Sequence, residues 1–349
     1  MIAADIERFT HGGLVGVDVG AIERDLASLW RMASQANTAV TRACSWNLVV
    51  HVMSDAELSR ARALAEALVS AVPSRTLVLN HRPSEVGAEI EAFVTANCRM
   101  MPGGGKLVCA EEITVEARGP GEEHLPSLVR ALLVPDIPTA VLWADLPPAT
   151  SVVAQLLVGV DRVVLDTSRT DSLMPVERLG APMTAKVADL NWLRLAPLRR
   201  AIASSFDAPR DPSMLFRLAR VTVCTSHDAE AASRLLLGWL GAQLSWAPPH
   251  RAGGASHRWV AAGRQAEVCL TIAVEPGPGV HRVTFEADGQ RVEVGLSAGA
   301  APIESKVGQR AAPSVAVRSD AELVVAALGS RGHDELYGRA LGWAVELER

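Results

Sequence analysis

Pro102-Gly103-Gly104-Gly105-Lys106 comes nearer than any other stretch of this chain to a site that could hold a phosphate. Glycine backbone followed by lysine can cradle an anion, because successive N–H groups converge where no Cβ intrudes. A phosphate loop also needs Ser or Thr after the lysine and a helix starting there. Here Leu107 and Val108 follow, in a run that reads as strand. The stretch is therefore read as a hairpin turn, a tight connection that needs φ > 0. A turn that contacts a partner is the alternative. Cys98 and Cys109 flank it, and a symmetric hairpin centred between Gly103 and Gly104 sets them directly opposite each other. Opposed strand residues have Cα atoms about 4.5–5.5 Å apart, inside the disulfide range. The pair reads first as two small buried thiols in a reducing compartment, and second as a redox-sensitive pair.

The remaining chemistry-bearing residues are scattered. The 9 histidines show no HxxxH or HExxH spacing. His51 lies in an apolar strand and reads as a hydrogen-bonded core residue. His250 and His257 flank Gly253-Gly254 with nothing nearby to complete a metal set. No Ser, His and Asp trio is readable, GxSxG is absent, and no dinucleotide fingerprint is supported. No catalytic, cofactor-binding or metal-binding residue is assigned, and no cofactor is expected. The segment 191–220 holds Arg194, Arg199, Arg200, Arg210, Arg217 and Arg220 against Asp207 and Asp211. Pro197 suits the first turn of a helix. On that helix Leu198, Ala201, Ile202, Ser205 and Phe206 form one face, which leaves Arg199 and Arg200 off it. Such a basic face is either simply solvated or a docking surface, since Trp and Arg are enriched at interface hot spots. Under the second reading the candidate partner-binding residues are Trp192, Arg194, Arg199 and Arg200, with the turn Gly103, Gly104, Gly105 and Lys106.

What must position these residues is an alternation of helices and strands. Residues 21–35 read as an amphipathic helix with Ile22, Leu26, Leu29 and Trp30 on one stripe. A strand at 45–52, a helix opened by Ser54 with Glu57 completing a capping box, and a strand at 75–79 make a βαβ unit and imply a parallel sheet. The hairpin at 89–117 makes that sheet mixed. Helix 125–134, strand 139–143, helix 152–158 and strand 162–166 continue the alternation, with Pro135 and Pro138 as breaks. Residues 172–220 read as helical. A strand at 220–225 and a helix at 229–244 come next, and the period then changes to two. Strands at 259–261, 266–274, 280–286 and 291–296 read as an antiparallel meander. Residues 298–313 read as a loop, and helices at 320–328 and 334–347 close the chain. The expected fold is thus an α/β N-terminal domain with a mixed sheet (1–171), a helical Arg-rich connecting segment (172–219) and an α+β C-terminal domain with a meander (220–349).

Composition narrows the function classes. With 49% hydrophobic and 21% charged residues the chain is not largely disordered, and a net charge of −5 argues against a nucleic-acid binder. No apolar run is long enough for a membrane span, and the N-terminus lacks the basic start of a signal peptide. A cytoplasmic location is expected. The 5 cysteines have no CxxC spacing, which speaks against a zinc site or a disulfide framework.

The order of segments then points to a family. The stretch from Asn97 to Trp143 resembles the signature region of the glucose-6-phosphate dehydrogenase assembly proteins, the OpcA family. Val17-Asp18-Val19-Gly20-Ala21-Ile22-Glu23 with Leu29-Trp30, and Thr41-Arg42-Ala43-Cys44 with Asn47-Leu48-Val49-Val50, are similar to its opening segments. So are Pro73 to Leu79, Asp161 to Ser168, Asp189-Leu190-Asn191-Trp192 with Pro197-Leu198-Arg199, and Leu235 to Leu240. The resemblance implies a bacterial, non-catalytic partner that binds glucose-6-phosphate dehydrogenase and promotes its assembly or active oligomeric state. That role supports the oxidative pentose phosphate pathway and NADPH supply. The competing class is a sugar-phosphate-binding or sugar-phosphate-modifying α/β enzyme. It would need a convergent polar set in the loops after the strands.

Overall fold

The computed structural model describes residues 6–15, 18–36, 40–86, 90–101, 107–143, 151–180, 185–207, 212–252, 257–295, 318–330 and 332–349. The turn 102–106 and the expected loop 298–313 lie outside them. Two compact units form. The first holds residues 1–165, 184–187 and 320–330; the second holds 166–183, 188–319 and 331–349.

The larger sheet collects β1 (Ile6–Val15), β2 (Val40–Arg42), β3 (Trp46–Val52), β4 (Ser74–Arg82), β5 (Ile90–Met100), β6 (Leu107–Arg118), β7 (Thr139–Trp143), β8 (Arg162–Leu165) and β9 (Lys186–Asp189). Its order is β1-β5-β6-β4-β3-β7-β8-β9, with β2 also on β6. The pairs from β6 through β4, β3 and β7 to β8 are parallel, whereas β5 runs antiparallel to both β1 and β6. The sheet is mixed, as the hairpin requires. Strand β7 is buried along its whole length, which is why it reads as a nearly unbroken apolar run. Helices α1 (Val19–Ala36), α2 (Asp55–Leu68), α3 (Leu125–Leu132) and α4 (Ser151–Leu156) connect the strands. Ser54 caps α2 as expected, with the Glu57 N–H donating to Ser54 Oγ at 3.2 Å, and the return bond of the box is displaced by one residue: Glu57 Oε2 accepts from the Met53 N–H at 2.9 Å.

Glu111 and Glu112 are consecutive on β6, so their side chains leave opposite faces of the sheet. Both are buried. On one face Glu111 accepts from Trp30 Nε1 at 2.6 Å and Arg75 Nε at 2.7 Å, with Arg42 at 2.7 Å. Arg75 also donates to Glu23 on α1 and to the Leu132 carbonyl that ends α3. Burial alone would lower the pKa of Arg75, but Glu111 and Glu23 outweigh it and raise it. On the other face Glu112 accepts from Asn97 at 2.8 Å and lies 3.8 Å from Arg62 of α2. The two acids therefore show that α1 and α3 cover one face and α2 the other.

Cys98 and Cys109 are register partners, as a symmetric turn requires, with Cα atoms 4.0 Å apart. The sequence favours two separate thiols; the structure joins them in a disulfide. The bond lies in a small apolar cluster with Ala96 and Leu107, against Trp30 and Val40.

The second unit is built on β10 (Arg220–Thr225), β11 (His250–Arg251), β12 (Arg258–Ala262), β13 (Glu267–Val274), β14 (Val280–Ala287) and β15 (Gln290–Gly295). Their order is β11-β12-β13-β10-β14-β15. The expected meander is thus corrected. The strands do form antiparallel hairpins, but β10 inserts between β13 and β14, parallel to the first and antiparallel to the second. Alternation tells which side of a strand is buried; it says nothing about its neighbours. The segment expected to be helical contains α5 (Met174–Gly180), α6 (Leu190–Arg194) and α7 (Ala196–Ser205), but also the strand β9. Then come α8 (Glu230–Leu244), α9 (Asp320–Gly329), which belongs to the first unit, and α10 (Glu335–Glu346). Helices α8 and α10 approach closely through glycine. A Cβ added at Gly238 would lie 2.2 Å from the Ala340 carbonyl oxygen, and one at Gly241 would lie 2.3 Å from the Trp343 ring.

Two outcomes follow for experiment. Gly238→Ala forces α8 off a backbone atom that cannot give way, and should destabilise the second unit by roughly 1–3 kcal/mol. Alanine ordinarily stabilises a helix interior relative to glycine, so an unchanged or raised urea midpoint would show that the two helices are not packed this closely. For the hairpin, alkylation of denatured, unreduced protein should label only Cys44, Cys224 and Cys269. Labelling of every cysteine would mean that the purified protein carries the dithiol.

Candidate functional site

The residues singled out around Trp192 meet in the second unit, and two aspartates missed by sequence reasoning organise them. Asp189 ends β9 and caps α6: its Oδ1 accepts from the Asn191 N–H at 2.9 Å. The same oxygen accepts from the Thr167 N–H at 3.1 Å, while Oδ2 accepts from Thr167 Oγ1 at 2.7 Å and the Tyr337 hydroxyl at 3.2 Å. Asn191 Nδ2 donates in turn to Thr167 Oγ1 at 3.1 Å. Asp189 is 1% exposed. Burial drives its carboxyl up to about 6, against the Thr167 and Asn191 donors that pull it down. A carboxylate accepting this many bonds holds three separate segments of the chain at one point.

Asp334 repeats the device one turn away. It caps α10 by accepting from the Tyr337 N–H at 2.9 Å, and its other oxygen accepts from Trp192 Nε1 at 2.8 Å. The Trp192 and Tyr337 rings lie 5.6 Å apart. Arg194 forks onto Asp166, with both N–H···O distances 2.7 Å. Burial pushes the Asp166 carboxyl up, but Arg194 and Ser168 outweigh it and hold it below the ordinary range. The guanidinium of Arg199 lies over the Trp192 ring, 3.2 Å from its centroid, and donates to the Trp192 carbonyl at 3.2 Å. Arg200 is exposed beside it.

The structure therefore brings Trp192, Arg194, Arg199 and Arg200 together. Trp192 is buried and Arg194 already holds a carboxylate, which leaves the exposed Arg200 and the half-buried Arg199 with no carboxylate partner among the described residues. Arg199 lies off the apolar stripe of α7, as its position in the helix dictates, yet it is half-buried because it folds back on Trp192. Gly103, Gly104, Gly105 and Lys106 lie outside the described residues. Cys98 and Cys109 belong to the first unit.

The first unit has a polar row of its own at the carboxyl ends of its parallel strands, where α/β sheets commonly take ligands. His51 on β3 pairs in register with Trp143 on β7, and its ring lies 6.0 Å from that of His81 on β4. His81 Nε2 is 3.0 Å from Glu122 Oε2. Burial, then the neighbouring His81, lower His51 to about 4; burial also lowers His81, with Glu122 opposing. His51 is buried, as expected, but packs on a second imidazole. Among the described residues no group of His, Cys, Asp and Glu is arranged to hold a metal ion, and no helix is long and apolar enough to cross a membrane.

Known proteins match the chain in the same order as its two units. The glucose-6-phosphate dehydrogenase subunit N-terminal domain of the OpcA family matches residues 65–179, and the C-terminal domain of the same family matches 185–341. The chain belongs to the OpcA family. A relative from Synechocystis sp. described as OxPP cycle protein OpcA is 26% identical over 53% of this chain and 40% of its own length. One from Nostoc punctiforme is 29% identical over 46% of this chain and 35% of its own. The chain thus spans well under two thirds of the curated relatives it matches. Among solved structures, a biliverdin reductase from Synechocystis sp. is similar at 11% identity and a TM-score of 0.45, over 86% of this chain and 97% of that one. That similarity is too weak to bear on activity.

In this OpcA-family chain the segments Asp161 to Ser168 and Asp189 to Trp192 carry the family resemblance, and they are the segments that Asp166 and Asp189 tie down. The signal available in the sequence was Asp189-Leu190-Asn191, an aspartate two residues before a backbone donor at a helix start. The charge on Asp189 has a pH signature. Its folded pKa lies above the ordinary 3.8, so between about 4 and 6 the native state holds a proton that the unfolded chain has lost. That contribution is fully present below about 4 and disappears as pH rises through 6. Asp189→Asn, in which the Thr167 and Tyr337 hydroxyls can turn to accept, removes it. Wild type should gain on the order of 2 kcal/mol relative to the variant between pH 7 and 4. Parallel urea-midpoint curves for the two proteins would show that Asp189 does not titrate in this range.

Proposed function

We propose that this protein binds glucose-6-phosphate dehydrogenase in the bacterial cytoplasm and promotes its assembly or active oligomeric state, with no turnover of its own. The observation that carries the reading is the ordered match of residues 65–179 and 185–341 to the N- and C-terminal domains of a glucose-6-phosphate dehydrogenase subunit family. The use of the polar groups around Trp192 supports it. Asp166, Asp189 and Asp334 each spend their oxygens on chain segments and helix caps, which leaves the exposed Arg200 and the half-buried Arg199 of α7 without a carboxylate among the described residues. The candidate interface is Trp192, Arg194, Arg199 and Arg200, with Gly103, Gly104, Gly105 and Lys106 as a further contact. Cys98 and Cys109 belong to the proposal as a pair open to reduction. A partner acts by population shift: it stabilises the active oligomer by the difference between its affinities for the active and inactive forms.

A second reading, a sugar-phosphate-binding or sugar-phosphate-modifying enzyme, draws its support from the His51–His81 row at the strand ends. Burial lowers both histidines, and among the described residues the arginines at the same strand ends, Arg82 and Arg118, are paired with Asp55 and Glu85. One experiment separates the readings. The purified chain is mixed at micromolar concentration with the dehydrogenase of its own organism, resolved by size exclusion and assayed with glucose 6-phosphate and NADP. A new, larger species with altered dehydrogenase activity is expected. Two separate peaks with unchanged activity would sink the proposal, and turnover by the chain alone would favour the enzyme.

A further inference from the structure

Several arginines of the second unit are held by a carboxylate. Arg194 is bound to Asp166, Arg217 to Asp288, Arg220 to Glu286, Arg234 to Glu230 and Arg282 to Glu275. Neither Arg199 nor Arg200 has a carboxylate partner among the described residues. Asp334 lies near enough to Arg199 to favour its charged form, but both Asp334 oxygens are engaged, by Trp192 and by the Tyr337 N–H. Of the five N–H donors of the guanidinium, one reaches the Trp192 carbonyl, and Nε is buried with no acceptor among the described residues. Burial lowers Arg199 to about 10, with Arg200 adding to the effect, so the cation is under-satisfied. It is also held in place. Its central carbon lies 3.2 Å from the ring centroid of a buried Trp192, itself fixed through Nε1.

A flat, pre-ordered guanidinium without a counter-ion, beside a second exposed cation, matches the geometry of a carboxylate, which it can bind through two parallel N–H···O bonds. We infer that Arg199, stacked on Trp192 and flanked by Arg200, receives a Glu or Asp carboxylate from an acidic segment of a partner protein. The inference rests on the reading of the chain as a partner protein and names the chemistry of its contact. Charge complementarity selects the occupant: two neighbouring cations lack anions, and a neutral or basic segment would leave them so.

The test uses the full chain, labelled with ¹⁵N, and a hexaglutamate peptide as the probe, with hexaglutamine as control. The Arg199 Nε–H and Trp192 indole N–H resonances should shift saturably with hexaglutamate and not with hexaglutamine. Arg199→Gln should weaken binding about tenfold or more, the expected loss for a charged hydrogen bond. Arg199→Lys keeps the charge but not the planar fork, so its affinity should fall between the two. An unmoved Tyr337 amide resonance shows that a variant keeps the fold. If Arg199→Gln does not fold, the wild-type and Arg199→Lys titrations decide alone. No saturable shift at Arg199, or equal affinity in wild type and variants, overturns the inference. Adding the dehydrogenase distinguishes its failure from that of the proposed function. A complex that forms equally well with Arg199→Gln leaves the function standing without this contact. Hexaglutamate binding with no dehydrogenase complex leaves the contact standing without that partner.

Discussion

A carboxylate taken out of water must be paired inside the protein, and each unit of this chain is organised around that constraint. Glu111 on β6 is taken out of water beneath α1, where an unpaired carboxylate could not persist. Trp30, Arg42 and Arg75 all reach it, from α1, β2 and β4. Arg75 passes the constraint on to Glu23 and to the end of α3. A network of this kind adds little net stability over an apolar core, because desolvation offsets most of the attraction. What it adds is selection. Removing one member strands the others, so the strands and helices that contribute to it can sit in only one arrangement.

The second unit follows the same logic with different residues. Asp189, Asp166 and Asp334 each combine a cap with a long-range bond, which joins local structure to tertiary structure through single side chains. The segments that carry the family resemblance are accordingly those that hold the fold at this point. Recurrent motifs are often read as catalytic, yet here the carboxylates are consumed by backbone and side-chain donors. Asp189 accepts four bonds, and a carboxylate so engaged is a poor general base, since a substrate proton would have to displace an existing bond. The same saturation makes a good platform, because it orders Trp192 and, through Trp192, the arginine stacked on it.

Much of this was legible in the residues, and the boundary between what was and what was not has a physical cause. Strand β7 could be read because Pro138 and a five-residue apolar run define it locally. The capping box of α2 could be read because both of its members lie within one turn. The opposition of Cys98 and Cys109 could be read because a symmetric turn sets the register of both strands. By contrast, the place of β10 between β13 and β14 depends on pairings across the unit, which no local pattern encodes. Glu111 and Glu112 look alike in sequence; what separates them is the face each takes and the partners it finds there, Arg75 on a neighbouring strand for Glu111 and Asn97 for Glu112. Strand β9 has four residues, too few for a period to show. Asp189 went unassigned because its role needs Thr167, Asn191 and Tyr337, and only Asn191 is near it in the chain.

The cost of ordering a side chain then decides where such a protein can bind. A partner that acts by population shift must discriminate between two forms of its target, and can shift the equilibrium only by the difference in binding free energy. A mobile arginine on an open helix spends part of that difference on its own immobilisation, about 0.5–1.5 kcal/mol for a rotamer-rich side chain. Arg199 has already lost that freedom on folding, to the Trp192 ring and carbonyl. The penalty is met by the stability of the unit, through the chain from Asp334 to Trp192, and not at the moment of association. Arg200, exposed and without such support, retains its freedom. It is suited to the long-range attraction that speeds encounter and is screened by salt over about 8–10 Å. On the proposed reading one cation holds the contact and its neighbour speeds the encounter, a division set by which of two adjacent helix positions faces Trp192.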